Sequence, residues 1–149
     1  MNVNDSAGAL IEQLGLTAHP EGGWYRETWR GKAGPEGRAS GTAIIFLLRV
    51  GEASHWHTVD AAELWLWQAG DPIELRLAAS DAGPARSVIL GADVAAGQHF
   101  QGLVAPGEWQ AARPFSPPQF GYSLVSCVVV PGFDFAGFTL APPGWEPGA

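Results

Sequence analysis

The amino-acid sequence predicts an all-β fold, a sandwich or barrel of about ten short strands that one short helix precedes. Runs rich in β-branched and aromatic residues recur along the chain, and 20 glycines and 12 prolines cluster between them. The composition, with 46% hydrophobic and 15% charged residues, is typical of a globular chain with a buried core. At 149 residues, the chain has the size of a single domain that spans residues 1–149.

Charge and cysteine content exclude several classes of partner. The formal net charge is −7, and the eight Lys and Arg residues are scattered, so we expect neither nucleic acid nor an anionic membrane surface as partner. No apolar run is long enough to span a membrane, and the first ten residues lack the pattern of a signal peptide. Cys127 is the single cysteine, which suits a reducing compartment. We therefore expect a soluble, cytoplasmic protein.

The elements follow one another in a simple order. Residues 5–16 predict the helix, which Asp5 or Ser6 caps and Gly15 ends. Turn residues then separate short β-type runs, and the loops at 31–40 and 115–121 are rich in glycine or proline. The predicted strands outside the central segment are 24–29, 41–50, 73–77, 86–90, 98–104, 108–112, 122–130 and 133–140.

The central segment is Ser54–Pro72, which reads SHWHTVDAAELWLWQAGDP. His55 and His57 lie two residues apart in a β-type run, so both imidazoles are expected on one face of a strand. A second strand alongside would bring Glu63 to the same place. Two imidazoles and a carboxylate form either a metal site, for Zn, Ni, Mn or Fe, or a polar ligand pocket, and the sequence leaves both open.

Without a metal, His57 next to Glu63 is a candidate general base. The carboxylate would select the tautomer of the imidazole and raise its pKa toward neutrality. The alternative is a buried hydrogen-bonded pair that only holds two strands together.

Several other side chains are candidates for binding a ligand. Arg26 has the fork geometry that binds a carboxylate or phosphate, although it could instead pair with Glu21 or Glu27. Small-ligand sites are mostly apolar and aromatic, so aromatic residues of the later strands are candidates for the cavity wall, with core packing as the alternative. These are Trp65, Trp67, Phe100, Trp109 and Phe120. We expect Cys127 to be a buried, inert thiol, and we favour a structural role for Asp134.

The spacing of the central segment resembles the first motif of the cupin superfamily, whose fold is a double-stranded β-helix or jelly-roll barrel. Its parts would be Gly51, His55, His57, Glu63 and Gly70. In the second cupin motif, Gln110 follows the reversal at Gly107 where the superfamily has a histidine. The resemblance thus implies a metal set of His55, His57, Glu63 and Gln110, weakened because a carboxamide is a poorer ligand than imidazole.

A narrower resemblance covers most of the chain. HPEGGWYRE at His19–Glu27, IIFLL at Ile44–Leu48, the segment from Glu63 to Pro72, and SLVSCVVVPGFDFAGF at Ser123–Phe138 are similar to the fifth cupin family, a domain of unknown function. This resemblance implies a fold like that of deoxysugar-nucleotide epimerases, a homodimer, and a greater role for His57 than for His55.

Three functions follow from these resemblances. The first is a small-molecule-binding cupin, an isomerase or epimerase acting on a sugar-like or carboxylated ligand, with His57 and Glu63 in the site and Tyr25 as partner acid. The second is a non-catalytic ligand-binding or sensing domain. The third is a metal-dependent oxygenase, which Gln110 disfavours.

Overall fold

The computed structural model describes residues 5–149 as one short helix, α1, and eleven strands. Two short 3-10 helices, Val94–Ala96 and Phe135–Gly137, lie in the connections. The bounds are α1 Ser6–Leu14, β1 Thr17–Ala18, β2 Trp24–Arg30, β3 Thr42–Arg49, β4 Ser54–Val59, β5 Ala62–Gly70, β6 Ile73–Ala78, β7 Arg86–Leu90, β8 Gln101–Val104, β9 Trp109–Pro114, β10 Tyr122–Val130 and β11 Phe138–Leu140.

Helix α1 forms where the caps predict it. The Asp5 carboxylate accepts a hydrogen bond from the Gly8 N–H at 3.0 Å, and Gly15 ends the helix with a φ of 65°. Leu10 and Leu14 lie on the face that packs against Leu47 of β3. Between residues 5 and 149, no helix combines the length and the apolar character that a membrane crossing needs.

The strands form two antiparallel sheets that fit a jelly roll, as predicted. The first sheet has the order β1-β2-β3-β10-β5-β8, and the second has the order β11-β4-β9-β6-β7. Alternate residues of each strand point inward, so the main core lies between the sheets. The first sheet contributes Phe46, Trp65 and Val125, and the second contributes Leu75 and other leucines and isoleucines of its strands.

The last predicted strand, residues 133–140, is only partly a strand. The Asp134 carboxylate accepts a hydrogen bond from the Ala136 N–H at 3.0 Å and caps the 3-10 helix Phe135–Gly137. A local side-chain bond of this kind competes with extended structure, which overrides the alternating pattern. Pairing with β4 therefore begins only at Phe138.

The Asp71 side chain holds the loop that precedes β10 in place. Asp71 follows β5 and is completely buried. One carboxylate oxygen accepts hydrogen bonds from the Gln119 and Phe120 N–H groups at 2.7 and 2.8 Å, and the other accepts one from the Gly121 N–H at 2.9 Å. The proline-containing loop before β10 is thus held by a single carboxylate.

We expect Asp71→Asn to lower the free energy of unfolding by about 2–4 kcal/mol, because the buried amide group of asparagine puts a donor where a backbone N–H of the loop needs an acceptor. Urea denaturation measures the loss. Asp93→Asn is the matched control, because Asp93 is exposed and asparagine also caps the 3-10 helix that Asp93 precedes. Equal stability of the two variants would contradict this account of Asp71.

Candidate functional site

A cavity of about 500 Å³ opens between the two sheets. Its inner lining is buried and polar, and it includes His19, Glu21, His57, Glu63 and Cys127. Its mouth is formed by the exposed residues Glu27, Arg30, Asp134 and Phe135. The volume is that of a site for a small molecule.

His57 reaches the cavity because β4 contains a β-bulge. Ser54 pairs with Ala112 and His57 pairs with Gln110, so β4 has one more residue than β9 over this interval. The extra residue reverses the alternation of faces. His57 is therefore buried in the cavity wall and His55 is exposed, which corrects the expectation that the two imidazoles share one face.

The two nitrogens of His57 both have partners. Nδ1 lies 2.7 Å from the His55 carbonyl oxygen, which can only accept, so Nδ1 carries a hydrogen. Nε2 lies 3.1 Å from Oε2 of Glu21. Nε2 of this neutral imidazole has no hydrogen and accepts a hydrogen bond from a protonated Glu21 carboxyl group. The hydrogen-bonded pair is therefore neutral.

Glu21 is delivered by the turn between β1 and β2. Gly22 and Gly23 have φ values of 105° and 79°, and a Cβ atom on Gly22 would overlap the Ala53 carbonyl oxygen. The Glu21 carbonyl oxygen accepts a hydrogen bond from the His55 N–H at 2.8 Å, and the Glu21 N–H donates to Nδ1 of His19 at 3.1 Å. These two backbone hydrogen bonds hold Glu21 in place against the cavity wall.

Neither Glu21 nor His19 was predicted to be a site residue. Glu21 was considered only as a partner of Arg26. A signal was nevertheless present, since this acidic residue stands between Pro20 and two glycines in a turn. The side chain of His19 is buried, and its ring contacts the Tyr25 ring edge-on, with the ring centroids 4.4 Å apart.

Glu63 enters from the opposite sheet, not from a strand beside His57. Oε1 of Glu63 accepts a hydrogen bond from Nε2 of Gln110 at 3.0 Å, and Oε1 of Gln110 accepts one from Nε1 of Trp65 at 2.9 Å. This chain of bonds fixes the orientation of the Gln110 amide. The carboxylate partner of His57 is therefore Glu21, and Glu63 is held by Gln110.

Burial sets the ionisation of these groups. It raises the pKa of Glu21 to about 8 and that of Glu63 to about 7, because the charged form of a carboxyl group is poorly solvated there. Burial also lowers the pKa of His57, and it lowers that of His19 to about 4. The expected rise in the pKa of His57 is thus reversed, because desolvation outweighs the nearby Glu63 carboxylate.

The predicted metal set does not come together. His55 is exposed on the other side of β4, and the amide oxygen of Gln110 is occupied by Trp65. Only His57 and Glu63 of the four reach the cavity. Among residues 5–149, no three His, Cys, Asp or Glu side chains are arranged to hold a metal ion. The residues therefore do not fit the metal implied by the cupin resemblance.

A second bulge, in β2, selects the side chains of the mouth. Glu27 pairs with Ile44 and Trp29 pairs with the adjacent Ala43, so one extra residue lies between them. Tyr25, Glu27 and Arg30 consequently line the cavity. Arg26 lies outside it and is exposed, while Glu27 binds Arg30 through two hydrogen bonds of 2.8 and 2.9 Å.

The structure places none of the predicted wall aromatics on the cavity. Trp65 is fully buried in the core against Phe46, and the Trp67 N–H donates to the Asp71 carbonyl oxygen at 3.0 Å. Trp109 packs against Trp145, with the ring centroids 4.4 Å apart and the planes tilted by 40°. Phe100 and Phe120 are more than half exposed. Tyr25, Phe133 and Phe135 supply the aromatic wall instead.

Cys127 lies beside Glu63 in the same wall. It is buried, as expected, and burial raises the pKa of its thiol well above the usual value. This keeps the thiol in its unreactive, protonated form.

The two glutamates predict a pH dependence of stability. At pH 6.5 both are ionised in the unfolded chain, whereas in the folded chain Glu21 and most of Glu63 are protonated. Raising the pH through their folded pKa values, about 7 for Glu63 and about 8 for Glu21, therefore favours unfolding. We expect the free energy of unfolding to fall by on the order of 2 kcal/mol between pH 6.5 and 8.5. His19 and His57, with lowered pKa values, oppose the fall mainly below that window and only weakly at its acid end, because an unfolded histidine is largely deprotonated above pH 6.5.

Glu21→Gln and Glu63→Gln should each flatten this decline, as measured by urea denaturation across the pH range. Glu12→Gln, an exposed change on α1, is the control and should keep the wild-type slope. An unchanged slope in both cavity variants would show that the decline has another origin.

Comparisons with known proteins agree with this fold. Residues 8–141 match the model of the Cupin_5 family, described as Cupin superfamily (DUF985). A hypothetical protein from Leishmania major is 34% identical, with a TM-score of 0.83 over 93% of this chain and 89% of that one. Protein SO0799 from Shewanella oneidensis is 37% identical, with a TM-score of 0.82 over 95% of this chain and 85% of that one.

A more distant structural similarity is found with an enzyme. An oxalate decarboxylase from Bacillus subtilis is 12% identical, with a TM-score of 0.60 over 83% of this chain and 29% of that chain. At this identity the likeness concerns the fold alone. The match over most of the sequence is decisive, and the chain belongs to the Cupin_5 family of the cupin superfamily.

Proposed function

We propose that the cavity binds a small molecule with a carbonyl group and moves a proton at the adjacent carbon, as isomerases and epimerases of sugars do. One observation carries the proposal. Two buried carboxyl groups, Glu21 and Glu63, line one cavity from opposite sides, and burial raises the pKa of each toward neutrality. Groups with pKa values near the working pH are the most effective general acids and bases.

The different surroundings of the two glutamates divide the roles. Glu63 has the lower pKa, about 7, so it supplies a carboxylate to act as base. Glu21 has the higher pKa, about 8, and holds a proton against His57, so it acts as acid. His57 touches Glu21 and the backbone, which makes it a positioning residue in this scheme. Tyr25, on the same wall, would donate a hydrogen bond to the carbonyl oxygen of the ligand.

The reaction is balanced without an oxidant or reductant. Glu63 removes the proton on the carbon beside the carbonyl group, the electron pair of that C–H bond forms a C=C bond, and the π pair of the C=O bond moves onto the oxygen. Glu21 then delivers its proton to the opposite face of that carbon, and the electron pair on the oxygen re-forms the C=O bond. In an isomerisation, Glu21 protonates the former carbonyl carbon instead, while the hydroxyl proton of the first carbon passes to the former carbonyl oxygen and the first carbon becomes the carbonyl. Exchange with solvent restores both carboxyl groups, so a proton from water enters the product.

A non-catalytic binding domain is the second candidate. The hydrogen-bond chain from Trp65 through Gln110 holds Glu63 in one position, and the His55 carbonyl oxygen holds His57. Such fixed polar groups would also orient a guest molecule without chemistry.

The family resemblance further supports a homodimer, which we include in the proposal. Light scattering on the purified protein measures the mass directly, and a monomer at all concentrations would remove this part.

Solvent exchange tests the chemistry. We expect the protein in D₂O to introduce deuterium beside the carbonyl carbon of at least one of D-glucose, D-fructose, D-glyceraldehyde and D-glucosamine, followed by proton NMR. Glu63→Gln should slow the exchange by about 100-fold or more, because an amide cannot accept the proton. Glu36→Gln, an exposed loop change, is the control.

Failure takes two forms in this experiment. Exchange at the wild-type rate in Glu63→Gln would remove the proposed base. No exchange with any of the four compounds, in the presence of measurable binding, would favour the non-catalytic domain.

A further inference from the structure

The charges that line the cavity are mostly negative. Among residues 5–149, four carboxyl groups lie on its wall: Glu27 and Asp134 at the mouth, Glu63, which is partly ionised near pH 7, and Glu21, which holds its proton. Within residues 5–149, Arg30 is the one guanidinium on that wall, and it donates two hydrogen bonds to Glu27. Its Nη2 also lies 3.5 Å from the Phe133 carbonyl oxygen, and its charge attracts Asp134 more weakly than Glu27. An anionic ligand would therefore lose its hydration without gaining an unpaired cation in return.

The mouth adds aromatic rings to this acidic lining. Phe133 and Phe135 pack at right angles, with ring centroids 4.8 Å apart, and both line the cavity. Phe135 remains 53% exposed although it is large and apolar. Asp134 lies between them in the chain, and its bond to the Ala136 N–H engages one carboxylate oxygen, Oδ1.

Aromatic faces beside a carboxylate attract organic cations. The negative potential of a ring face binds an ammonium group, and an adjacent carboxylate adds Coulomb attraction. The formal net charge of −7 also favours the approach of cations over anions. The same features repel carboxylates and phosphates.

We propose that the ligand of this cavity carries a cationic amino group, which binds at the mouth between Asp134 and the rings of Phe133 and Phe135. This inference rests on the proposed function, because it places the carbonyl end of the ligand inward, at Glu21 and Glu63. It replaces the carboxylated ligand that the sequence suggested, since Arg26 lies outside the cavity.

Three ring compounds of one size test the ligand class: cyclohexylamine, cyclohexanol and cyclohexanecarboxylate, titrated at pH 7 and followed by NMR. We expect the amine to bind about tenfold more tightly than the alcohol, and the carboxylate to show no saturation up to about 10 mM. Asp134→Asn should weaken the amine about tenfold while affecting the alcohol less, because only the charge is lost.

Asp93→Asn is the matched control. Asp93 also caps a 3-10 helix, through the Ala96 N–H at 3.2 Å, and it lies away from the cavity. Asparagine preserves the cap in both variants, so equal melting temperatures should show that both are folded. Removing the same charge there should leave binding of the amine unchanged.

The proposal is overturned if the amine binds no more tightly than the alcohol or the carboxylate, if none of the three binds up to about 10 mM, or if the two variants behave alike. Its failure is separable from that of the proposed function. Tight binding of the carboxylate, with exchange still dependent on Glu63, would remove the ligand class and leave the chemistry. Binding of the amine without any deuterium exchange would support the ligand class and remove the proposed proton transfer.

Discussion

The contact between Glu21 and His57 is the constraint on which the rest of the cavity depends. Both groups are buried, so ionising both would carry a large desolvation cost. The pair is therefore neutral, and one proton lies between Nε2 of His57 and the Glu21 carboxyl group. Because the His55 carbonyl oxygen occupies Nδ1, the orientation of the imidazole leaves Nε2 for Glu21 alone. Glu21 is thereby maintained as a protonated acid in a cavity that opens to solvent.

Two β-bulges decide which side chains meet at this contact. The bulge in β4 separates His55 from His57, and the one in β2 brings Arg30 to the same side as Glu27. A single inserted residue reverses every later side chain of a strand. The site of this protein is therefore made by departures from regular pairing, within a sandwich whose core follows the regular alternation.

This explains how much could be predicted from the sequence. The caps of α1 and the alternating strand patterns arise from local signals, whereas the jelly roll was implied by the resemblance to cupins, and these were predicted correctly. His57 and Glu63 were placed in a common site, but the partner of each was missed. Whether β4 contains a bulge depends on its pairing with β9, some 55 residues away in the chain, and no local pattern in Ser54–Val59 records it.

The acid–base pair and the acidic mouth have a common consequence. A ligand whose cationic group binds at the mouth would bring a positive charge into the same cavity as Glu63, whose pKa burial raises to about 7. A nearby positive charge favours the carboxylate form and lowers that pKa, so binding would convert Glu63 from a partly protonated group into a base. A neutral or anionic guest would leave it protonated for more of the time. Selection of the ligand and activation of the base would then be a single electrostatic event.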